Sequence, residues 1–461
     1  MLPDVAGIDK TFDYTVPPEW GADEREALVH IGSVVRIDLH GRRVGGWIVD
    51  VDVEPPTGVA LRPLAKVSGL GPPAPLVDLA RWAAWRWAGR LQHLLGTASP
   101  PSVVRVLPAP APRVPVPIGL DPTVDDAFAG DGAVIRQPPA ADPFDVVLAA
   151  ARRGNALVLA PSVAQARSVA MRLRRAGLTV ALHPRDWALG AASATVVGSR
   201  AAAFAPVADL AAIVVIDEHA EAYQEERAPT WHARDVVLER ARRAHVPCVL
   251  VSPAPSIAAT AAVERLVVPS RAAERSGWPV LDVIDRRRED PATAGLFSDR
   301  IVAVLRGPGP VVCVLNRTGR SRLLACGACG ELARCERCAG PVVQRAEGDL
   351  VCPRCGAVRP LVCAHCGATR MRNLRAGVTR VREELEALAQ RPVVEVTGTL
   401  ELGAARADLY VGTEAVLHQL DTARAVVFLD IDQELLAPRA FAAEQAFALI
   451  VRAARLVGAR D

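Results

Sequence analysis

Beyond about residue 140, short apolar runs alternate with longer mixed stretches. The runs are "NALVLAPS" (155–162), "ATVVGS" (194–199), "AAIVVIDEH" (211–219) and "VPCVLVSPAPS" (246–256). Four more follow: "GPVVCVLN" (309–316), "PVVEVTG" (392–398), "ADLYVGTE" (407–414) and "AVVFLDID" (425–432). A strand with one wet face alternates apolar and polar residues; these runs are continuous, so both faces are buried. Val-rich strands separated by helical stretches predict parallel sheets covered by helices on both sides. The strands are too many for one lobe, and a cysteine-rich segment interrupts the series. We therefore expect two α/β lobes, the second carrying an inserted module.

The first 70 residues follow another period. "GSVVRIDLHGRRVGGWIVDVDVE" (32–54) alternates Val or Ile with polar residues around a turn containing Gly and Arg, which is a hairpin pattern. "PLVDLARWAAWRWAGRLQHLLG" (75–96) sets Leu76, Leu79, Trp82, Ala83, Leu91 and Leu95 near a 3.6-residue spacing, so this stretch reads as helical. Its tryptophans Trp82, Trp85 and Trp87 are expected to pack in the core or between domains rather than to stack on bases. "LPAPAPRVPVP" (107–117) has the composition of a semi-rigid linker. The expected division is a β-rich N-terminal domain over 1–106, a Pro/Ala-rich linker over 107–140 and a first lobe over 141–290. The second lobe takes 291–325 and 372–461, and the cysteine module takes 326–371.

Composition narrows the classes. With 461 residues, 51% of them apolar, the chain can bury several cores and is not a disordered protein. A formal net charge of +3 leaves any affinity for nucleic acid to local patches. No charged n-region with an apolar h-region opens the chain, and no apolar run approaches the ~20 residues of a membrane span, so a cytoplasmic protein is expected. Lysine occurs only at Lys10 and Lys66; every other Lys/Arg position is arginine.

Eight of the ten cysteines fall in one segment, as four C-x-x-C pairs: Cys326/Cys329, Cys335/Cys338, Cys352/Cys355 and Cys363/Cys366. Such pairs in a reducing compartment point to metal rather than disulfides, and eight thiolates make two tetrahedral zinc sites. Gly330, Gly356 and Gly367 each follow a pair directly and permit the knuckle backbone that aims N–H groups at sulfur. Counting does not settle which pairs share an ion. Five residues between the first two pairs disfavour closing them on one metal, whereas a nested arrangement would satisfy both sites through hairpins. From Arg317 to Arg380 there are twelve arginines against four acids. Two zinc ions with eight thiolates leave this module about four charges positive, which suits phosphate contact.

These motifs in this order resemble the PriA family of primosomal replication-restart proteins, nearly end to end. "LNRTGRSRLLACGACGELARC" is similar to that family's entry into its first zinc knuckle, and "AGVTRVREELEALAQ" to the helix entering the second lobe. "GSRAAAFAPVADLAAIVVIDEH" (198–219) resembles the strand leading to a helicase Walker B motif, and "WHARD" (231–235) a further family motif. "TFDYTVP" (11–17) and "RIDLHGRRVGGWIV" (36–49) resemble the domain that captures a DNA 3′ end. The resemblance implies two RecA-like lobes of a superfamily-two helicase, an inserted two-zinc module and an N-terminal DNA-binding domain. It implies Phe12, Asp13 and Gly41 for a 3′-end pocket, with Arg62 near the place of a family lysine. It also implies the nested zinc pairing: Cys326, Cys329, Cys363 and Cys366 on one ion, Cys335, Cys338, Cys352 and Cys355 on the other.

The sequence departs from the family where ATP would act. A P-loop lysine neutralises β/γ-phosphate charge, yet no lysine follows Lys66 and no G-x-x-x-x-G-K-[ST] occurs. "GDGAVIRQPPAADPFDVV" (130–147) stands there instead, with prolines expected to break the turn that presents N–H groups to phosphate. The acidic box is reduced to "DEHA", leaving Asp217 and Glu218 as a degenerate nucleotide motif. "SPAPS" (252–256) and "RAARLVGAR" (452–460) are worn as well. The expected function is a non-enzymatic, helicase-degenerate factor that binds abandoned forks, D-loops and 3′ ends and helps reload the replicative helicase. Its partners would be DNA, other primosome or helicase-loading proteins and single-stranded DNA-binding protein, at the nucleoid and with no membrane. The alternatives are an active ATP-dependent 3′-to-5′ DNA helicase and a zinc-ribbon interaction protein without fork specificity. Lacking room for the family's winged-helix and C-terminal domains, the chain is expected to be a fragment or to have a late start.

Overall fold

The computed structural model describes residues 1–22, 25–54, 57–110, 122–285, 297–315, 324–340, 342–345, 348–352, 355–373, 378–396, 407–435, 437 and 440–460. The chain forms two compact units, Met1–Glu274 and Arg275–Asp461.

The first unit opens with a four-stranded antiparallel sheet in the order Leu2–Pro3, Arg42–Trp47, Val34–Leu39, Lys66–Gly69. Alternation in Val34–Leu39 buries Val35 and Ile37 and exposes Arg36 and Asp38. Leu39 faces Arg42, so His40 and Gly41 form a two-residue turn, with φ of 47° and 77°. Two positive φ values match the right-handed strand twist of a tight hairpin. The stretch read as helical is two helices, Ala74–Arg86 and Leu91–Ala98. Ala88 takes φ 46°, and Gly89 lies so close to Pro229 that a Cβ would come within 2.3 Å. The apolar spacing on either side continues across this break and does not show it. Trp82 and Trp87 pack edge to face, centroids 5.5 Å apart, but Trp85 is 77% exposed, against the expectation that it packs inside.

A seven-stranded sheet follows in the order Leu266–Val267, Gly132–Arg136, Cys248–Ser252, Leu210–Ile216, Asn155–Leu159, Thr195–Gly198, Val180–Leu182, every pairing parallel. Leu157, Leu159, Ile213 and Val215 face one core, which they share with Leu79, Leu94 and Leu95 of the two N-terminal helices. Ala156, Val158, Val214 and Ile216 face the other, under helices Phe144–Arg153 and Val163–Arg175. The N-terminal helices thus cover one face of this sheet, while Met1, Trp20, Val35, Ile37, Ile48 and Leu64 form a core of their own in the antiparallel part. The linker expected over 107–140 ends early. Gly132–Arg136 is an interior strand whose five residues are too few to stand out beside the prolines around them. Residues 111–121 lie outside the described residues.

In the second unit a parallel sheet runs Val394–Val396, Leu409–Gly412, Val311–Val314, Ala425–Phe428. Leu305 of helix Asp299–Arg306 and Leu385 of helix Val378–Ala389 pack on one face, and Leu456 of helix Ala442–Val457 on the other. The cysteine module is inserted between strand Val311–Val314 and helix Val378–Ala389. Its frame is the antiparallel pair Leu324–Cys326 with Met371–Asn373, and a three-stranded sheet of Val343–Gln344, Leu350–Val351 and Val358–Arg359. The segment 316–323, which carries the motif running into the first knuckle, lies outside the described residues.

Ile213 is fully buried mid-sheet, so Ile213→Ala should cost about 2–5 kcal/mol in urea unfolding followed by circular dichroism. Trp85→Ala should stay within about 0.5 kcal/mol of the parent. Equal losses from both would place the core elsewhere.

Candidate functional site

The eight clustered cysteines form two groups, Cys326/Cys329/Cys363/Cys366 and Cys335/Cys338/Cys352/Cys355, with the sulfurs of each within 4.8 Å of one another. Cross-pair sulfurs lie 3.4 Å (Cys326–Cys366) and 3.7 Å (Cys329–Cys363) apart in the first group. In the second, both Cys335–Cys355 and Cys338–Cys352 are 3.5 Å. A disulfide needs about 2.05 Å. A tetrahedron with metal–sulfur bonds of about 2.3 Å has edges of about 3.8 Å. The separations therefore fit one tetrahedral metal ion per group, and the pairing is nested. Hairpin geometry explains it: Leu324–Cys326 pairs with Met371–Asn373 and brings the outer pairs together, while the three-stranded sheet closes the inner ones. Gly330, Gly356 and Gly367 take φ of 76°, 72° and 73°, the left-handed conformation that the knuckles require. Amides of Cys329 and Ala328 aimed at the Cys326 thiol hold its pKa down at about 6, and the Cys338 and Cys366 amides likewise lower Cys335 and Cys363, whereas the crowding of neighbouring sulfurs pushes Cys329 up to about 12 and Cys338 up to about 11. Cys248 and Cys313, buried in strands, are pushed up to about 12 by desolvation and stay protonated.

In the N-terminal domain, strand Tyr14–Thr15 runs parallel to Arg62–Pro63, with Tyr14 opposite Arg62. Phe12 and Asp13 directly precede this strand, whose first residue is the one that faces Arg62. The chain's first ammonium donates to the Phe12 carbonyl (2.7 Å), and the Phe12 amide donates to the Met1 carbonyl (2.9 Å). Asp13 is half-buried, and Lys10 sits with its ammonium 5.7 Å from the Phe12 ring centre, a contact the sequence reading did not single out. Gly41 caps the hairpin, with open space where a Cβ would project. Among the described residues no hydrogen bond joins it to the Phe12–Arg62 group.

The stretch where a phosphate loop would lie has a strand–loop–helix geometry, from Gly132–Arg136 through 137–143 to helix Phe144–Arg153. The prolines leave the helix itself intact, and it starts directly after Pro143 at the N-cap position. They act on the loop's donors instead. Pro138, Pro139 and Pro143 have no N–H, the Gln137 amide donates to the Ser252 carbonyl (3.1 Å), and Ala141 donates to Pro138 (2.9 Å). Asp142 Oδ1 accepts from the Phe144 amide at the helix start (3.0 Å). Both terminal nitrogens of Arg172 hold that carboxylate, at 2.9 and 2.5 Å, and its guanidinium lies 3.8 Å over the Phe144 ring. The hydrogen bond from Arg172 holds Asp142 below the usual carboxylate range. An internal carboxylate thus occupies the helix end that phosphate would use.

Asp217 and Glu218 follow the central strand Leu210–Ile216, and both are buried. Glu218 accepts from the Ser256 amide (2.6 Å), the Ser256 hydroxyl (2.9 Å) and Arg234 Nη1 (3.3 Å). Arg234 also donates to Ser256 (2.9 Å), whose hydroxyl caps helix Ile257–Ala262. Burial raises the Glu218 pKa against these partners. Beside it, His219 Nδ1 meets the Ser252 hydroxyl at 2.7 Å, and Tyr223 donates to the Ile216 carbonyl at 2.6 Å. The carboxylate of Glu218 is engaged in joining three segments of the first unit.

A family profile described as 3′DNA-binding domain (3′BD) matches residues 2–100, which span the antiparallel sheet and the two helices. The chain is 30% identical over 451 residues to the probable replication restart protein PriA of Mycobacterium leprae (strain TN), covering 86% of this chain and 68% of that protein. Against the probable replication restart protein PriA of Mycobacterium tuberculosis (strain CDC 1551 / Oshkosh) identity is 29% over 524 residues, covering 99% of this chain and 74% of the other. Among solved structures, the DUF1998 helicase MrfA bound to DNA and AMPPNP aligns at 12% identity with a TM-score of 0.39, over 77% of this chain and 52% of that one. With such identity held along most of a relative's length, the chain belongs to the PriA family of replication restart proteins.

Proposed function

We propose that this protein binds abandoned or stalled replication forks and helps reload the replicative helicase without hydrolysing ATP. One observation carries the reading: the loop at 137–143 has no lysine, three of its seven residues are prolines without an N–H, and Asp142, neutralised by Arg172, takes the helix end. Phosphate at that place would meet a carboxylate. Glu218 is spent on Arg234 and Ser256, which supports a structural rather than a magnesium-binding role.

DNA recognition then falls to the N-terminal domain. Phe12, Asp13, Gly41 and Arg62 form the 3′-end pocket in this reading, with the Asp13 carboxylate accepting from a terminal 3′-OH and repelling a 3′-phosphate. Each four-cysteine group takes one Zn²⁺, which fixes the arginine-rich module as a rigid platform. That platform would dock other primosome or helicase-loading proteins, with single-stranded DNA-binding protein as a further partner.

In fork-binding titrations, a 3′-OH end should bind about tenfold or more tighter than a 3′-phosphate end, as expected for a hydrogen bond to a charged group. Asp13→Asn should erase the difference, and Mg-ATP should leave the affinity within about twofold. Equal affinity for both ends in the parent, or ATP-driven release, would contradict the reading. Elemental analysis should find about two zinc ions per chain, falling by about one in Cys335→Ser. A value near zero with free thiols would remove the platform.

A further inference from the structure

The outer face of the N-terminal sheet carries two cations placed against each other. Arg36 and Lys66 are direct partners across the antiparallel strands Val34–Leu39 and Lys66–Gly69, so their side chains share one face. Both are exposed, and neither forms an ion pair with a described residue. Like charges directly opposite on a sheet are destabilising, so this pair stands out unless an anion lies between them. On the other side of Arg36 its partner is Gly45, where a Cβ would meet nothing within 4 Å. The next exposed pair along the face, Asp38 and Arg43, is self-compensated at 3.5 Å. Further back, Val34 and Trp47 pack into the shared core and Gly69 is covered by Val104. The uncompensated pair thus sits where the sheet face emerges from the core, beside a bare glycine.

We propose that Arg36 and Lys66 together hold one phosphodiester group of a DNA strand on this face, with Gly45 leaving room for the strand to lie close. The guanidinium matches two phosphate oxygens, and the ammonium supplies a point charge to the same group. The inference rests on the reading that this domain binds DNA, and adds a contact outside the Phe12–Arg62 group. It gives that domain a hold on the strand that is independent of how the strand ends.

The test uses the full chain and a forked DNA with a single-stranded 3′ tail, titrated by fluorescence anisotropy between about 50 and 200 mM salt. The Arg36→Gln/Lys66→Gln variant should lose about five- to tenfold in affinity at the low end, and its log–log salt slope should shrink by about 0.7, the value for one phosphate on a single strand. The ratio between 3′-OH and 3′-phosphate ends should not change, and Arg242→Gln, which removes a cation already paired with Glu239, should bind as the parent does. Because Lys10 and Lys66 are the chain's two lysines, lysine acetylation read by mass spectrometry gives a second measurement on the unaltered protein. Saturating DNA should protect Lys66. An unchanged slope and affinity in the double variant, or full acetylation of Lys66 under DNA, would overturn the proposal. A parent protein indifferent to the 3′ end would instead remove the end pocket, while the slope would still report the cation pair.

Discussion

The buried ion pair between Glu218 and Arg234 is the constraint around which the first unit is organised. A carboxylate placed at the end of the central strand and fully shielded from water must be matched on all sides or become protonated. Here the match is the Arg234 guanidinium together with the amide and hydroxyl of Ser256. Removing one partner of such a pair costs about 3–5 kcal/mol, because the other is left charged and dry. Strand Leu210–Ile216, helix Ala233–Ala244 and helix Ile257–Ala262 are therefore held in one arrangement by these three side chains and the Ser256 amide. Glu218 acts here as a joint between three segments.

The same substitution of an internal group for an external one occurs at residues 137–143. Helix Phe144–Arg153 presents its positive end to a loop, as a phosphate-binding helix does. Asp142 meets that end, and Arg172 from the neighbouring helix balances the charge. This bridge is solvent-exposed, so it adds at most about 1 kcal/mol of stability; its consequence is electrostatic. The loop has no lysine, and the helix end is occupied from within the chain. Meanwhile its remaining lysines, Lys10 and Lys66, both lie in the part that matches a 3′ DNA-binding domain.

The fold class was legible because its signal is local. Continuous runs such as "NALVLAPS" and "AAIVVIDEH" become central strands, and the alternation around His40–Gly41 becomes the hairpin. What escaped reading depended on partners far away in sequence. Gly132–Arg136 is a strand only by virtue of neighbours at 248–252 and 266–267. The close approach of Gly89 to Pro229 joins positions 140 residues apart, and the part played by Asp142 needs Arg172 thirty positions on. The cysteine spacing announced two metal sites but left the pairing open; the resemblance implied nesting, and hairpins in the structure bring the sulfurs together that way. Arg36 and Lys66 look unremarkable as letters, and only strand register sets them face to face.

Central to the proposed function is that this PriA-family chain works without hydrolysing ATP. It is tested most directly by measuring phosphate release from ATP by the full chain, with and without saturating forked DNA, beside Asp217→Asn. The account predicts that all four rates lie together at background. DNA-stimulated turnover that Asp217→Asn abolishes would contradict it.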